Sequence, residues 1–125
     1  MAPKSLKEIA IDFLTLCSNG DSKKAFELYA GKDFKHHNPH FKGDTNSLMI
    51  AMAESAKENP NRTFEVKQIL QDGDLAAVHS YIQQTENNME LAVVHILKFE
   101  NNKIVEMWDI VQPFPENMIN EDGMF

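Results

Sequence analysis

The spacing of apolar residues changes once along this chain, at Arg62, and that change limits the fold more than any other feature. Before Arg62, apolar residues recur about every three or four positions, as they do around Phe13 and Leu48, which is typical of amphipathic helices. After it, residues such as Phe64 and Val66 alternate with charged residues, which is typical of strands. Helices followed by strands predict an α+β fold.

Capping residues predict three helices in the first half of the chain. Ser5 and Glu8 have the spacing of a capping box, in which each side chain binds the other's backbone N–H group. The three helices are expected to begin at Ser5, Asp21 and Asp44 and to end at Asn19-Gly20, Gly31 and Asn59-Pro60. Gly31 is expected to adopt the left-handed conformation that often ends a helix.

Turn residues predict four strands in the second half. The turns are Asp72-Gly73, Asn87-Asn88 and Asn101-Asn102, so the strands form an antiparallel meander. In the strand Met89–Phe99 apolar residues occupy both faces, and burial on one side cannot explain that pattern. We therefore expect a bent sheet whose concave face wraps the helices around a pocket while its convex face forms a homodimer.

The length and charge of the chain limit its partners. Its 125 residues predict a single domain over 1–125, with 113–125 a C-terminal tail that packs over the pocket mouth or across a dimer. The net charge of −7 disfavours nucleic acids and anionic membranes. Cys17 is the only cysteine, which excludes an internal disulfide, and no run approaches the ~20 apolar residues of a membrane span. We expect a cytoplasmic protein whose partner is a small molecule.

Three of the five histidines lie in the segment Lys35–His40, which Pro39 keeps out of a helix. In an extended segment His36 and His37 point to opposite sides, so only one of them can enter a pocket. Metal binding is a competing interpretation of so many histidines, but Pro39 prevents helical pairing of His36 with His40, and no His-x-His pair lies on a strand. We therefore expect no metal site and no cofactor.

Two further histidines and one aspartate occur within apolar strands. His79, His95 and Asp109 each alternate with apolar neighbours. A histidine in such a place is often a hydrogen-bonded core residue, and a carboxylate there is either paired or shifted in pKa. Because histidine changes protonation near neutral pH, these residues together with His37 form the predicted catalytic set.

Three segments of the chain carry a resemblance to a known family. Phe34–Pro39, Val78–Ser80 and Leu97–Pro113 resemble the SnoaL-like polyketide cyclase branch of the nuclear transport factor 2-like superfamily. The resemblance implies a cystatin-like, cone-shaped antiparallel sheet curved around N-terminal helices, a deep cavity, a dimer through the sheet and an activity without a cofactor. The chain departs from the family pattern at His95, where an aspartate is usual, and at Met107, where a histidine is usual.

The residues and the resemblance together lead to a functional hypothesis. We expect an acid/base enzyme of the aldol-cyclase or isomerase type that acts on a small, largely apolar carbonyl compound. Asp109 or His79 is the candidate base. The candidate donors to the enolate oxygen are His37, Asn38 and His95, and the remaining ligand-binding residues are expected to be Tyr81, Met107 and Trp108. The alternatives are a non-catalytic homodimer that binds a small ligand and, with less support, a protein-binding adaptor.

Overall fold

Three helices and a five-stranded sheet make up the computed structural model, which describes residues 4–125. The helices are α1 (Leu6–Ser18), α2 (Ser22–Tyr29) and α3 (Thr45–Glu58). The strands are β1 (Ala30–His36), β2 (Thr63–Asp72), β3 (Leu75–Gln83), β4 (Glu90–Glu100) and β5 (Lys103–Pro113). None of the described helices is long and apolar enough to cross a membrane.

The predicted helix starts are confirmed. The Ser5 hydroxyl accepts a hydrogen bond from the Glu8 N–H group at 3.1 Å, and the Glu8 carboxylate accepts one from the Ser5 N–H group at the same distance. The Asp44 carboxylate caps α3 by accepting from the Ser47 N–H group at 2.8 Å. Asp21 stands at the N-cap of α2 but makes no capping hydrogen bond through its side chain.

The predicted end of the second helix at Gly31 is wrong. The helix ends at Tyr29, and Gly31 belongs to β1, a strand that runs parallel to β5. A Cβ atom at this position would lie 3.0 Å from a methyl carbon of Val105, so glycine permits the two strands to approach closely. The sheet is therefore mixed, because β1 adds a parallel edge to the predicted antiparallel meander.

The sheet has the order β1-β5-β4-β3-β2 and is curved without closing into a barrel. The helices cover one side of it, which we call the inner face, and the opposite side is the outer face. Alternate residues of the strands point inward and pack on the helices. The core between the layers includes Phe13, Phe26, Leu48, Val78, Leu97, Ile104 and Met107, all of them buried. The predicted α+β fold with a curved sheet around N-terminal helices is confirmed.

The C-terminal segment after β5 folds against the outer face of the sheet. The ring of Phe114 lies 5.9 Å from that of Tyr81, measured between centroids. The ring of Phe125 lies 6.0 Å from that of Tyr81 and 4.9 Å from that of His79. The tail thus covers part of β3 on the side away from the helices, and not the mouth of an inner pocket.

Candidate functional site

A cavity of about 170 Å³ opens to solvent between the inner face of the sheet and the helices. Its wall is largely apolar. Leu14, Leu48, Met52, Phe64 and Ile82 are among the apolar side chains that line it. Its polar lining consists of Cys17, Ser18, Asn38, Ser55, Arg62, His95 and Asp109. A concavity whose surface is mainly apolar but carries several polar groups is typical of a small-molecule site.

His95 and Asp109 form a pair on the wall of this cavity. They occupy directly opposite positions in the antiparallel ladder of β4 and β5, so their side chains share the inner face. The Nε2 atom of His95 lies 3.3 Å from Oδ1 of Asp109. Their side chains are only 12% and 10% exposed, so the pair is largely removed from water.

A third polar residue, Asn38, fixes the orientation of the Asp109 carboxylate. Its side-chain amide donates a hydrogen bond to Asp109 Oδ2 at 2.8 Å. The Asn38 side-chain oxygen Oδ1 accepts from the His40 N–H group at 3.0 Å, and the Asn38 backbone N–H donates to Nδ1 of His36 at 3.2 Å. His36 is buried, and its Nε2 donates to the Lys42 carbonyl at 2.6 Å. The buried histidine therefore holds the loop that presents Asn38.

Burial determines the charge state of His95. Desolvation lowers the pKa of the imidazole, and the nearby Asp109 charge opposes this effect only in part. The ring is therefore neutral at pH 7. His95 Nδ1 and Asp109 Oδ1 are both buried without a hydrogen-bond partner in the described part of the chain. Each unpaired buried atom of this kind lowers the stability of the fold by about 1–3 kcal/mol. Buried atoms without a partner are typical of groups that take part in binding or catalysis.

Two cavity residues, Arg62 and Cys17, were not predicted from the sequence. Arg62 precedes β2, and its guanidinium donates from Nε to the Ser18 carbonyl at 3.1 Å and from Nη1 to the Ser55 hydroxyl at 3.2 Å. Burial raises the pKa of the Cys17 thiol to about 12, so this group is a neutral wall residue and not a nucleophile. The feature of the sequence that could have drawn attention to Arg62 is that it is the only arginine in the chain.

His79 and Tyr81 do not reach the cavity. In the ladder between β3 and β4, His95 lies opposite Val78, so Val78 shares the inner face and His79 points outward. The His79 ring lies beside Phe125, and Tyr81 shares its outer face, as the two-residue period of a strand requires. The expectation that His79 joins the catalytic set and that Tyr81 lines the pocket does not agree with this geometry.

His37 and Trp108 also lie on the outer face. The His37 ring stacks on the Trp108 indole with centroids 5.1 Å apart, and its Nε2 lies 2.7 Å from a Glu106 carboxylate oxygen. Met107 points inward but is fully buried in the core and does not line the cavity. Of the eight predicted site residues, the structure thus brings Asn38, His95 and Asp109 together. His36, the last residue of β1, is the histidine of the segment Lys35–His40 that points inward.

Within residues 4–125, no three His, Cys, Asp or Glu side chains are arranged to hold a metal ion. The chemistry available in the cavity is that of one carboxylate, one neutral imidazole, one amide, one guanidinium, one thiol and two hydroxyls. A carboxylate and an imidazole that are largely removed from water can exchange protons with a bound molecule.

Comparison with known proteins identifies the family. The family model of the SnoaL-like domain matches residues 10–107, and this chain belongs to that family. A SnoaL-like polyketide cyclase from Agrobacterium tumefaciens is similar in structure, with a TM-score of 0.70, 13% identity and coverage of 88% of this chain and 93% of that one. No curated protein gave a significant match.

Two other solved structures show the same fold. AclR from Streptomyces galilaeus, a proposed hydroxylase, has a TM-score of 0.73 and 19% identity over 86% of this chain and 88% of that one. An uncharacterised cystatin-fold protein from Novosphingobium aromaticivorans has a TM-score of 0.71 and 18% identity over 86% of this chain and 99% of that one. At these identities the similarity establishes the fold and not the reaction.

Proposed function

We propose that this protein is a cofactor-independent acid/base enzyme of the aldol-cyclase or isomerase type that acts on a small carbonyl compound. The observation that carries this proposal is the His95–Asp109 pair, 3.3 Å apart and largely buried on the wall of an apolar cavity. Membership of the SnoaL-like family and the similarity to a structure named as a polyketide cyclase support carbonyl chemistry.

Asp109 is the base in this proposal. Its Oδ2 atom accepts from Asn38, whereas Oδ1 is buried and has no hydrogen-bond partner in the described part of the chain, so no group of the protein uses its lone pairs. Transfer of a proton from the carbon next to a carbonyl to Asp109 leaves an enolate, whose charge develops on oxygen. Neutral His95 donates a hydrogen bond to that oxygen, and the low water content strengthens this contact.

The second half of the reaction returns the proton. In an isomerase that acts on a β,γ-unsaturated carbonyl compound, the enolate is conjugated with the C=C bond, and protonated Asp109 gives the proton to the γ-carbon, which moves the double bond into conjugation with the carbonyl. In an aldol closure, the enolate carbon instead forms a bond with a second carbonyl carbon of the same molecule, and the proton of Asp109 ends on the new alkoxide. Both sequences balance without an oxidant, a reductant or a cofactor.

The size of the cavity restricts the substrate. Its volume of about 170 Å³ lies below the range of about 300–1,000 Å³ that is usual for drug-sized ligands. A compound with one ring, or a short chain that closes to one ring, matches this space. Leu48, Phe64 and Ile82 would contact its apolar part.

The test is the identity and fate of a molecule that copurifies with the protein. The compound is extracted, identified by mass spectrometry and incubated with wild type and with Asp109→Asn. Conversion by wild type and not by the variant supports the proposal. Binding without conversion by either protein would support the alternative, a non-catalytic ligand-binding protein, and equal conversion by both would remove Asp109 from the mechanism.

We also propose that the protein forms a homodimer through the outer face of the sheet. Leu70, Leu75 and Ile110 are 64%, 39% and 56% exposed there. Apolar side chains this exposed on one sheet face lose contact with water when a second copy covers them, which favours association.

A further inference from the structure

Arg62 is the only arginine of a chain that carries 19 acidic residues, and it lies on the wall of the cavity and not on the open surface. Among residues 4–125, no carboxylate lies within 4.0 Å of its guanidinium. Both of its hydrogen bonds go to uncharged acceptors, the Ser18 carbonyl and the Ser55 hydroxyl. A half-buried cation in an acidic protein therefore has no anionic partner.

The Arg62 guanidinium has N–H groups that make no hydrogen bond within residues 4–125. Arginine carries five N–H groups, and the contacts with Ser18 and Ser55 use two of them. Nη2 of Arg62 makes no hydrogen bond within residues 4–125 and is not among the buried atoms that lack a partner, so it is accessible on a residue that lines the cavity. Burial lowers the pKa of Arg62, which is the direction expected for a cation whose lost hydration is not replaced by a counter-charge.

We propose that the cavity binds a small carboxylate-bearing molecule whose carboxylate is held by Arg62. This inference rests on the proposed function for the location of the reacting end of the molecule, which lies at the His95–Asp109 pair. The planar guanidinium matches a carboxylate with two parallel hydrogen bonds. The substrate class is then a keto acid of about the size of one ring.

A monoanion fits the charges of the site better than a dianion. The cavity contains one cation, Arg62, and one anion, Asp109, while His95 is neutral. Cys17 is close to both charged groups, because each of them affects the pKa of its thiol, and in opposite directions. With Arg62 and Asp109 charged, a bound carboxylate would leave a net charge of −1 in the cavity and a phosphate dianion a net charge of −2, and the larger unpaired charge is more costly in a partly buried site.

A purely structural role for Arg62 is the competing explanation. Its bond to the Ser18 carbonyl fixes the C-terminal end of α1, where a cation also interacts favourably with the helix dipole. That role predicts a loss of stability when Arg62 is replaced, but it predicts no preference between a carboxylate and an uncharged ligand of the same shape. The ligand preference therefore separates the two explanations.

The experiment compares 3-hydroxybenzoate with 3-hydroxybenzamide by isothermal titration calorimetry. The two probes share ring and phenol and differ in the charge at the position assigned to Arg62. We expect wild type to bind the acid about tenfold more tightly than the amide. Arg62→Gln should reduce that ratio to about one without weakening the amide. Lys98→Gln, which makes the same change in net charge on the outer side of β4, should keep it.

Three results would overturn the proposal. They are equal affinity of wild type for the two probes, retention of the preference in Arg62→Gln, and no binding of either probe at millimolar concentration. Urea unfolding of each variant shows which of them are folded, and Arg62→Lys provides a folded alternative that keeps the charge and loses the planar fork. A wild type that prefers the carboxylate but converts no ligand would refute the proposed catalysis and leave the carboxylate site intact.

Discussion

Replacement of His95 by leucine is expected to stabilise the protein while it weakens the site. The buried Nδ1 atom has no partner and costs about 1–3 kcal/mol, and Nε2, which lies 3.3 Å from Asp109 Oδ1, makes no hydrogen bond that leucine would remove. Leucine has a similar volume and no polar atom, and Asp109 keeps its hydrogen bond from Asn38. The free energy of unfolding should therefore rise by about 1 kcal/mol, or about 3–5 °C in Tm.

The assay has two parts. Urea unfolding at neutral pH, followed by the fluorescence of Trp108, the only tryptophan, gives the stability. Titration with 4-nitrophenolate, which resembles an enolate, gives the affinity of the site. We expect His95→Leu to bind about tenfold more weakly, and His79→Leu, on the outer face, to bind as wild type does. A destabilised His95→Leu, or one with unchanged affinity, would show that the imidazole is an ordinary core residue.

The remaining predictions concern pH, the thiol and the dimer. The pKa of His95 is lower in the folded protein than its ordinary value of 6.5, so on acidification the unfolded chain takes up a proton first. Wild type should therefore lose stability relative to His95→Leu as pH falls below 6.5. Urea unfolding at several pH values measures this difference. Cys17, with its pKa near 12, should react with iodoacetamide much more slowly in folded protein than in urea, and equal rates would refute its burial. In sedimentation at micromolar concentration wild type should be a dimer, and Ile110→Lys should be a monomer. The control Ile119→Lys, which changes a residue in the tail, should remain a dimer. A monomeric wild type would contradict the proposed interface.

Local signals in the sequence were sufficient for the helix starts and for the turns. Ser5 and Asp44 cap helices through their own side chains, which needs no information from distant residues. Asn101 and Asn102 both have positive φ, of 51° and 62°, as a tight hairpin turn between β4 and β5 requires. Such features follow from residue type and neighbours alone.

The orientation of the strands could not be obtained in this way. β3 has apolar residues on both faces, so its sequence does not show whether Val78 or His79 points inward, and only the pairing of Val78 with His95 decides it. β1 was missed because it is short and largely polar, and because it pairs with residues about 70 positions away. The position of Arg62 on the cavity wall could not be predicted either, because it depends on a hydrogen bond to the distant residue Ser18 at the end of α1.

The proposed function requires Asp109 to remove a proton from a carbon next to a carbonyl. The direct measurement is deuterium incorporation into cyclohexanone and 3-oxocyclohexane-1-carboxylate in D₂O, followed by NMR, with wild type, Asp109→Asn and His79→Gln. We expect exchange above the buffer rate for wild type and His79→Gln, and a loss of about a hundredfold or more in Asp109→Asn. Equal exchange by wild type and Asp109→Asn, or exchange by wild type no faster than in buffer alone, would contradict it.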